Sequence, residues 1–193
     1  MTRLLTYLAG AMLFAATAAT FAAAAPLGLG QLMDALAASP HGTATFTEQK
    51  FISFLDEPVE SSGTLRFIAP ARLEKHTLEP AAESLVLDGE ELTVARGKRK
   101  QVLQLKDYPE IAGMIVSIRA TLSGDRRALE KVYRLNLKGT AARWTLVLVP
   151  LDAKVARMVK RIEMQGAQAE VRTVEIQQAD GDYSVMTIEA AAP

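Results

Sequence analysis

The chain has 193 residues, 49% of them hydrophobic, with 22 basic and 22 acidic side chains, two histidines and no cysteine. That length buries the core of a single domain, while the balanced charge gives no basic surface for general nucleic-acid binding. The absence of cysteine excludes disulfides, and two distant histidines cannot make a zinc site of usual composition.

Residues 1–24 carry Arg3, an apolar run and a closing Ala22-x-Ala24. This is the layout of a secretory signal peptide, with residues 25–193 as the exported domain; an uncleaved N-terminal anchor is the alternative. The segment holds one basic and no acidic residue, so the remainder has a formal charge of −1. After Ala24 no apolar run is long enough to cross a bilayer, which predicts a soluble exported protein.

Leu29, Leu32, Met33 and Leu36 are spaced as one face of an amphipathic helix, ended by Ser39-Pro40-His41-Gly42. Thr43–Leu55 reads as a long strand with a bulge near Lys50-Phe51, and Asp56-Glu57-Pro58 as a turn. Val59, Ser61, Gly63, Leu65 and Phe67 alternate with polar residues, the period of a strand with one dry face, and Pro70 closes it. Arg72–Leu78 and Leu85–Leu87 follow as strands, the second ending on an Asp88-Gly89 turn. Glu91–Ala95 and Lys100–Leu105 then pair around a basic tip at Arg96-Gly97-Lys98-Arg99.

At Pro109 the period lengthens from two to 3.6. Ile111, Met114, Ile115, Ile118 and Leu122 share a stripe, Pro109 suits a helix start and Gly124 its end. Asp125–Lys131 predicts a short second helix. Tyr133–Lys138, Trp144–Val149, Val155–Met164, Val171–Gln177 and Tyr183–Ile188 complete a strand meander. Strands, a helical insert and further strands predict an α+β fold with a mainly antiparallel sheet.

Chemistry-bearing clusters are sparse. Ser61 or Ser62, His76 and Asp88 could be drawn as a triad, but no nucleophile elbow surrounds the serines. Nucleotide-binding glycine loops are missing. Asp88-Gly89-Glu90-Glu91 lacks the spaced oxygen ligands of a calcium loop and reads as a hairpin turn. No cofactor or metal is expected. The Ile111–Leu122 stripe reads either as a helix packed on a sheet or as a lid over an acyl cavity. The cations Arg96, Lys98, Arg99 and Lys100 read either as a solvated hairpin tip or as a dock for acidic lipid or an acidic partner.

Three segments, Phe46-Thr-Glu-Gln-Lys50, Ser62-Gly-Thr-Leu-Arg-Phe-Ile-Ala-Pro-Ala-Arg-Leu73 and Leu85-Val-Leu-Asp-Gly-Glu-Glu-Leu92, resemble in order and spacing the LolA-type periplasmic lipoprotein-carrier family. The resemblance implies an open, curved antiparallel sheet, an incomplete barrel, covered by helices and holding acyl chains in its concavity. It implies a periplasmic carrier and no enzyme, with an acylated lipoprotein or lipid as cargo, an inner-membrane donor and an outer-membrane acceptor. The expected acyl cavity is lined by Leu65, Phe67, Leu73, Met114, Ile115 and Ile118, in a monomer. The family's arginine before the strand-closing proline is Ala69 here, so Arg72 stands in as the candidate gating residue. Two other functions remain open: an assembly or interaction protein with a filled core, and a serine hydrolase acting on acyl esters through His76.

Overall fold

The computed structural model describes residues 25–39 and 41–191; the signal-peptide reading of residues 1–24 lies outside the described residues. The chain opens with helix α1 (Leu29–Ala37), followed by β1 (His41–Phe51), β2 (Val59–Ile68), β3 (Arg72–Glu79), β4 (Glu83–Asp88), β5 (Glu91–Arg96) and β6 (Arg99–Gln104). A single 3-10 turn at Leu105–Asp107 leads into α2 (Pro109–Leu122) and α3 (Arg126–Val132). Then come β7 (Tyr133–Thr140), β8 (Arg143–Pro150), the one-turn α4 (Ala153–Ala156), β9 (Val159–Ala167), β10 (Glu170–Gln178) and β11 (Tyr183–Ala190).

All eleven strands join one curved sheet that does not close, in the order β6-β5-β4-β3-β2-β1-β11-β10-β9-β8-β7. Every pairing is antiparallel. Hairpins build each half, so the first half of the chain and the second half are each a meander. The seam between them is the β1–β11 pair, with Phe46 opposite Ile188 and Glu48 opposite Met186.

Side chains directly opposite each other share a face, so the registers fix which residues look toward the helices. The main core lies under the second half: Leu32, Met33 and Leu36 of α1 pack with Tyr133, Trp144, Leu146, Leu148, Val159, Ile162 and Met164, all at 2% exposure or less. Burying each such aliphatic side chain is worth about 1.5–3 kcal/mol. A smaller cluster under the first half joins Leu87 and Leu105 to Ile115.

Helix α2 starts at Pro109, whose missing N–H costs nothing in a first turn. It ends where the Gly124 N–H donates to the Thr121 carbonyl and the Asp125 N–H to the Ala120 carbonyl, at 3.1 and 2.8 Å. Asp125 caps α3 by accepting from the Ala128 N–H at 3.0 Å.

The structure corrects the sequence reading at four places. Strand β1 starts at His41, not in a turn, and runs in unbroken register through Lys50-Phe51; the bulge lies instead between Ser62 and Gly63, opposite Glu79 and Thr77. β1 also stops at Phe51, because the chain bends there into an ordered loop in which the Ser53 N–H donates to Asp182 at 2.9 Å. Val155 is not strand but α4, which Asp152 starts by accepting from the Lys154 and Val155 N–H groups. Finally, the most buried positions of α2 are not its large apolar stripe but Gly113, Ser117, Ala120 and Thr121, together with Ile115.

Candidate functional site

Helix α2 divides the face of the sheet it covers. Its small-residue stripe lets it approach its neighbours closely: a Cβ on Gly113 would lie 2.2 Å from Val155 Cγ2. The Tyr133 hydroxyl donates to the Gly113 carbonyl at 3.0 Å. Buried Ser117 and Thr121 satisfy their hydroxyls on carbonyls of the same helix, those of Met114 and Ser117, both at 2.6 Å. Burial pushes the Tyr133 hydroxyl up to about 12, so it stays a neutral donor.

The large residues of α2 then fall on two sides. Met114, Val116 and Ile118 pack against the main core. Ile111, Ala112 and Ile115 pack against the smaller cluster, with Leu73, Leu87 and Leu92. A helix that is apolar on both flanks sits between two greasy surfaces rather than on one. At its far end Arg119 Nη1 donates to the Gly89 carbonyl at 2.8 Å, fastening α2 to the β4–β5 turn, with Glu90 alongside at 3.4 Å.

The covered face of the first half is graded across the strands. One row reads Phe67, Leu73, Leu87, Leu92, Leu103 from β2 to β6. The next reads Leu65, Lys75, Leu85, Val94, Gln101. The third reads Gly63, Thr77, Glu83, Arg96, Arg99. Isoleucines of α2 cover the middle of the first row, Leu73, Leu87 and Leu92. Leu65, Leu85 and Val94 are half-buried and belong to neither apolar cluster.

The six residues expected to line one acyl cavity are therefore distributed. Leu73 and Ile115 meet in the smaller cluster, Met114 and Ile118 face the main core, and Phe67 and Leu65 occupy successive rows of β2 outside both clusters. Leu73 lies beneath α2. Arg72 points to the opposite face, where its Nε donates to Glu74 and its Nη1 to Asp88, both at 2.7 Å. The Arg72 guanidinium, and His76 second, hold the Glu74 carboxyl below the usual carboxylate range. With His76 beside Glu74 and Asp88 on Arg72, the drawn triad has its acid and base engaged elsewhere. Arg96, Lys98, Arg99 and Lys100 are exposed at the β5–β6 tip, where Gly97 turns the chain and Arg96 Nε donates to Glu83 at 2.6 Å.

Sequence reasoning missed one constellation. Lys75 stands among leucines on the covered face, and its Nζ bonds Glu48 Oε2 at 2.5 Å while lying 4.7 Å from the centre of the Phe46 ring. Glu48 is on β1, so the lysine reaches over β2, and it does so beside Gly63, which has no side chain to block it. The signal was present as a lysine at an apolar phase of β3.

A family model described as "Outer membrane lipoprotein carrier protein LolA-like" matches residues 6–193. The chain belongs to this LolA-like family. The family is named for carriers, which bind rather than catalyse. A search of the curated proteins finds no match. Among solved structures, a LolA superfamily protein from Nitrosomonas europaea is similar at 9% identity, with 86% of this chain and 95% of that one covered and a TM-score of 0.44. A chain of the Pseudomonas aeruginosa MucA/MucB complex is similar at 14% identity, covering 86% and 58%, with a TM-score of 0.46. A putative outer membrane lipoprotein-sorting protein domain from Vibrio parahaemolyticus shows 10% identity, 83% and 88% coverage and a TM-score of 0.44. Among the described residues of the LolA-like chain, no helix is long and apolar enough to cross a membrane, and no three His, Asp or Glu side chains gather as a metal would need.

Proposed function

We propose that this LolA-like protein is a periplasmic carrier that shields the acyl chains of lipoproteins or other acylated cargo during transfer toward the outer membrane. The observation that carries the reading is the position of α2: flanked by apolar residues on both sides, it covers only part of a curved sheet face and leaves Leu65, Leu85 and Val94 half-buried. Cargo that lifted α2 would add the Leu73, Leu87 and Leu92 row to that surface. Each CH₂ group buried there is worth about 0.8 kcal/mol, so a chain of roughly ten CH₂ groups gives about 8 kcal/mol before ordering costs.

Residues 1–24 act in this reading as the export signal, and residues 25–193 as the carrier domain, receiving cargo from an inner-membrane donor and yielding it to an outer-membrane acceptor. Intact mass of the exported protein tests the first point: a species retaining Met1 in the membrane fraction refutes it. Native mass spectrometry of protein purified from its own periplasm tests the second, with bound acylated mass expected.

A second reading, an assembly or interaction protein with a filled core, is favoured by the closure of the main core, whose Leu32, Leu129, Trp144 and Leu146 are fully buried. It requires lipid-free protein that captures no acyl probe.

A further inference from the structure

A cation in the middle of an apolar row needs a reason. Lys75 lies directly opposite Leu65 on one side and Leu85 on the other, at a position where a leucine would continue the surface. Its ion pair with Glu48 is three-quarters or more shielded from water, the two side chains being 24% and 18% exposed. Such a pair contributes little net stability over an apolar pair of similar size, because desolvation of both ions offsets their attraction. Stability alone therefore does not account for it.

The surrounding charge is one-sided. By register, this end of the covered face carries Lys50, Lys75, Arg96 and Arg99 against Glu48 and Glu83. Glu48 holds Lys75 and Glu83 holds Arg96, so Lys50 and Arg99 are left in excess. Next to Arg96 and Arg99 runs the half-buried row of Leu65, Leu85 and Val94, while Lys50 lies farther along β1, opposite Val59. An apolar strip with one cation set into it and Arg96 and Arg99 along its border has the complement of one kind of molecule.

We propose that Lys75 is the headgroup contact for an anionic amphiphile, whose chain lies against Leu65, Leu85 and Val94 and whose carboxylate or phosphate displaces Glu48. Glu48 is then a placeholder: it satisfies the ammonium while the site is empty, and it sets a threshold that a neutral head cannot overcome. The Phe46 ring beneath the ammonium keeps it favourably placed during the exchange, since a cation over an aromatic face remains partly compensated. The proposal rests on the carrier reading and adds to it the sign of the cargo's head.

Calorimetric titration of the exported chain with dodecanoate, dodecyl phosphate and dodecanol at neutral pH tests it. Wild type should bind at least one anion about tenfold tighter than the alcohol, the worth of one charge-assisted hydrogen bond; which anion is preferred distinguishes a fatty-acid head from a phospholipid head. Lys75→Met should abolish that preference while keeping dodecanol binding, with circular dichroism as the fold control. Glu48→Gln should strengthen anion binding, the sign opposite to loss of a merely structural ion pair, and this variant carries the test if Lys75→Met does not fold. Equal binding of all three ligands by wild type, or unchanged or weaker anion binding by folded Glu48→Gln, overturns the proposal and leaves the carrier reading standing. Binding of none of the three overturns the carrier reading itself.

Discussion

The Tyr133 hydroxyl and the Gly113 carbonyl, 3.0 Å apart, tie the edge strand β7 to the middle of α2. Tyr133 is 1% exposed, so no water replaces the bond when it is lost. Tyr133→Phe should lower unfolding free energy by about 1 kcal/mol, the net worth of a buried hydrogen bond. Urea denaturation measures it, and hydrogen exchange should show faster opening in 109–122 than in β8 and β9.

Gly113→Ala should cost more than the loss of that hydroxyl. Its Cβ would sit 2.2 Å from Val155 Cγ2, so either α2 or α4 must move. Overpacking of this kind costs about 1–3 kcal/mol. Pairing it with Val155→Ala should recover part of the loss, and a double-mutant cycle in urea reads the recovery.

Acid stability should report on Glu74. Its carboxyl is held below its ordinary range by Arg72 first and His76 second, so the folded state favours the ionised form more than the unfolded chain does. That stabilisation is fully present above the unfolded-state value and is lost as the pH falls through the lower folded-state one. Wild type should therefore exceed Glu74→Gln in stability at neutral pH, and the gap should close on acidification. A gap independent of pH rules out the charge as its source.

Leu73 and Val94 separate stability from uptake. Leu73→Glu puts a carboxylate under α2 among Leu87, Leu92 and Ile111, and burial of an unpaired charge should cost about 2 kcal/mol or more. Val94→Ser, in the half-buried row, should change stability by less than that while weakening uptake of a fluorescent acyl probe. The two variants are compared by thermal melts and probe titration.

Charge reversal at Lys98, Arg99 and Lys100 should weaken association with anionic vesicles or an acidic acceptor. All three are exposed, so their pull reaches only about 8 Å at physiological ionic strength and should vanish with added salt. Salt-independent binding by the reversed variant contradicts a docking role.

Much of the fold follows from local period. Val59–Phe67 alternates because one face is dry, and Pro109 and Gly124 bracket α2 because each is suited to its end of a helix. What escaped was set by contacts between distant parts of the chain. The β1–β11 pairing joins residues 44–51 to 183–190 and leaves no mark in either segment alone. The Gly113, Ser117, Ala120 stripe is quiet on a hydrophobicity count, because its role is close approach rather than area. Lys75 and Glu48 sit 27 residues apart, and only the register of β1, β2 and β3 brings them together. The six residues expected to line a cavity stand at apolar phases of their elements, yet periodicity cannot tell which flank of α2 each one serves.

Among the described residues the sheet's failure to close leaves two edge strands without a strand partner, β6 and β7, the second touched only where the Leu27 N–H donates to the Gly139 carbonyl, and such an edge can recruit another copy of the same chain into fibre-like growth. Here β6 carries Arg99 and Lys100, and β7 carries Arg134 and Lys138. Zipping either edge to either edge of a neighbour sets cation beside cation, which is the common protection against such growth. Openness and dispersal are thus linked. The cations proposed to dock an acceptor thus also deny the protein a grip on itself, and neutralising Lys100, Arg134 and Lys138 together should show as time-dependent light scattering rather than as lost fold.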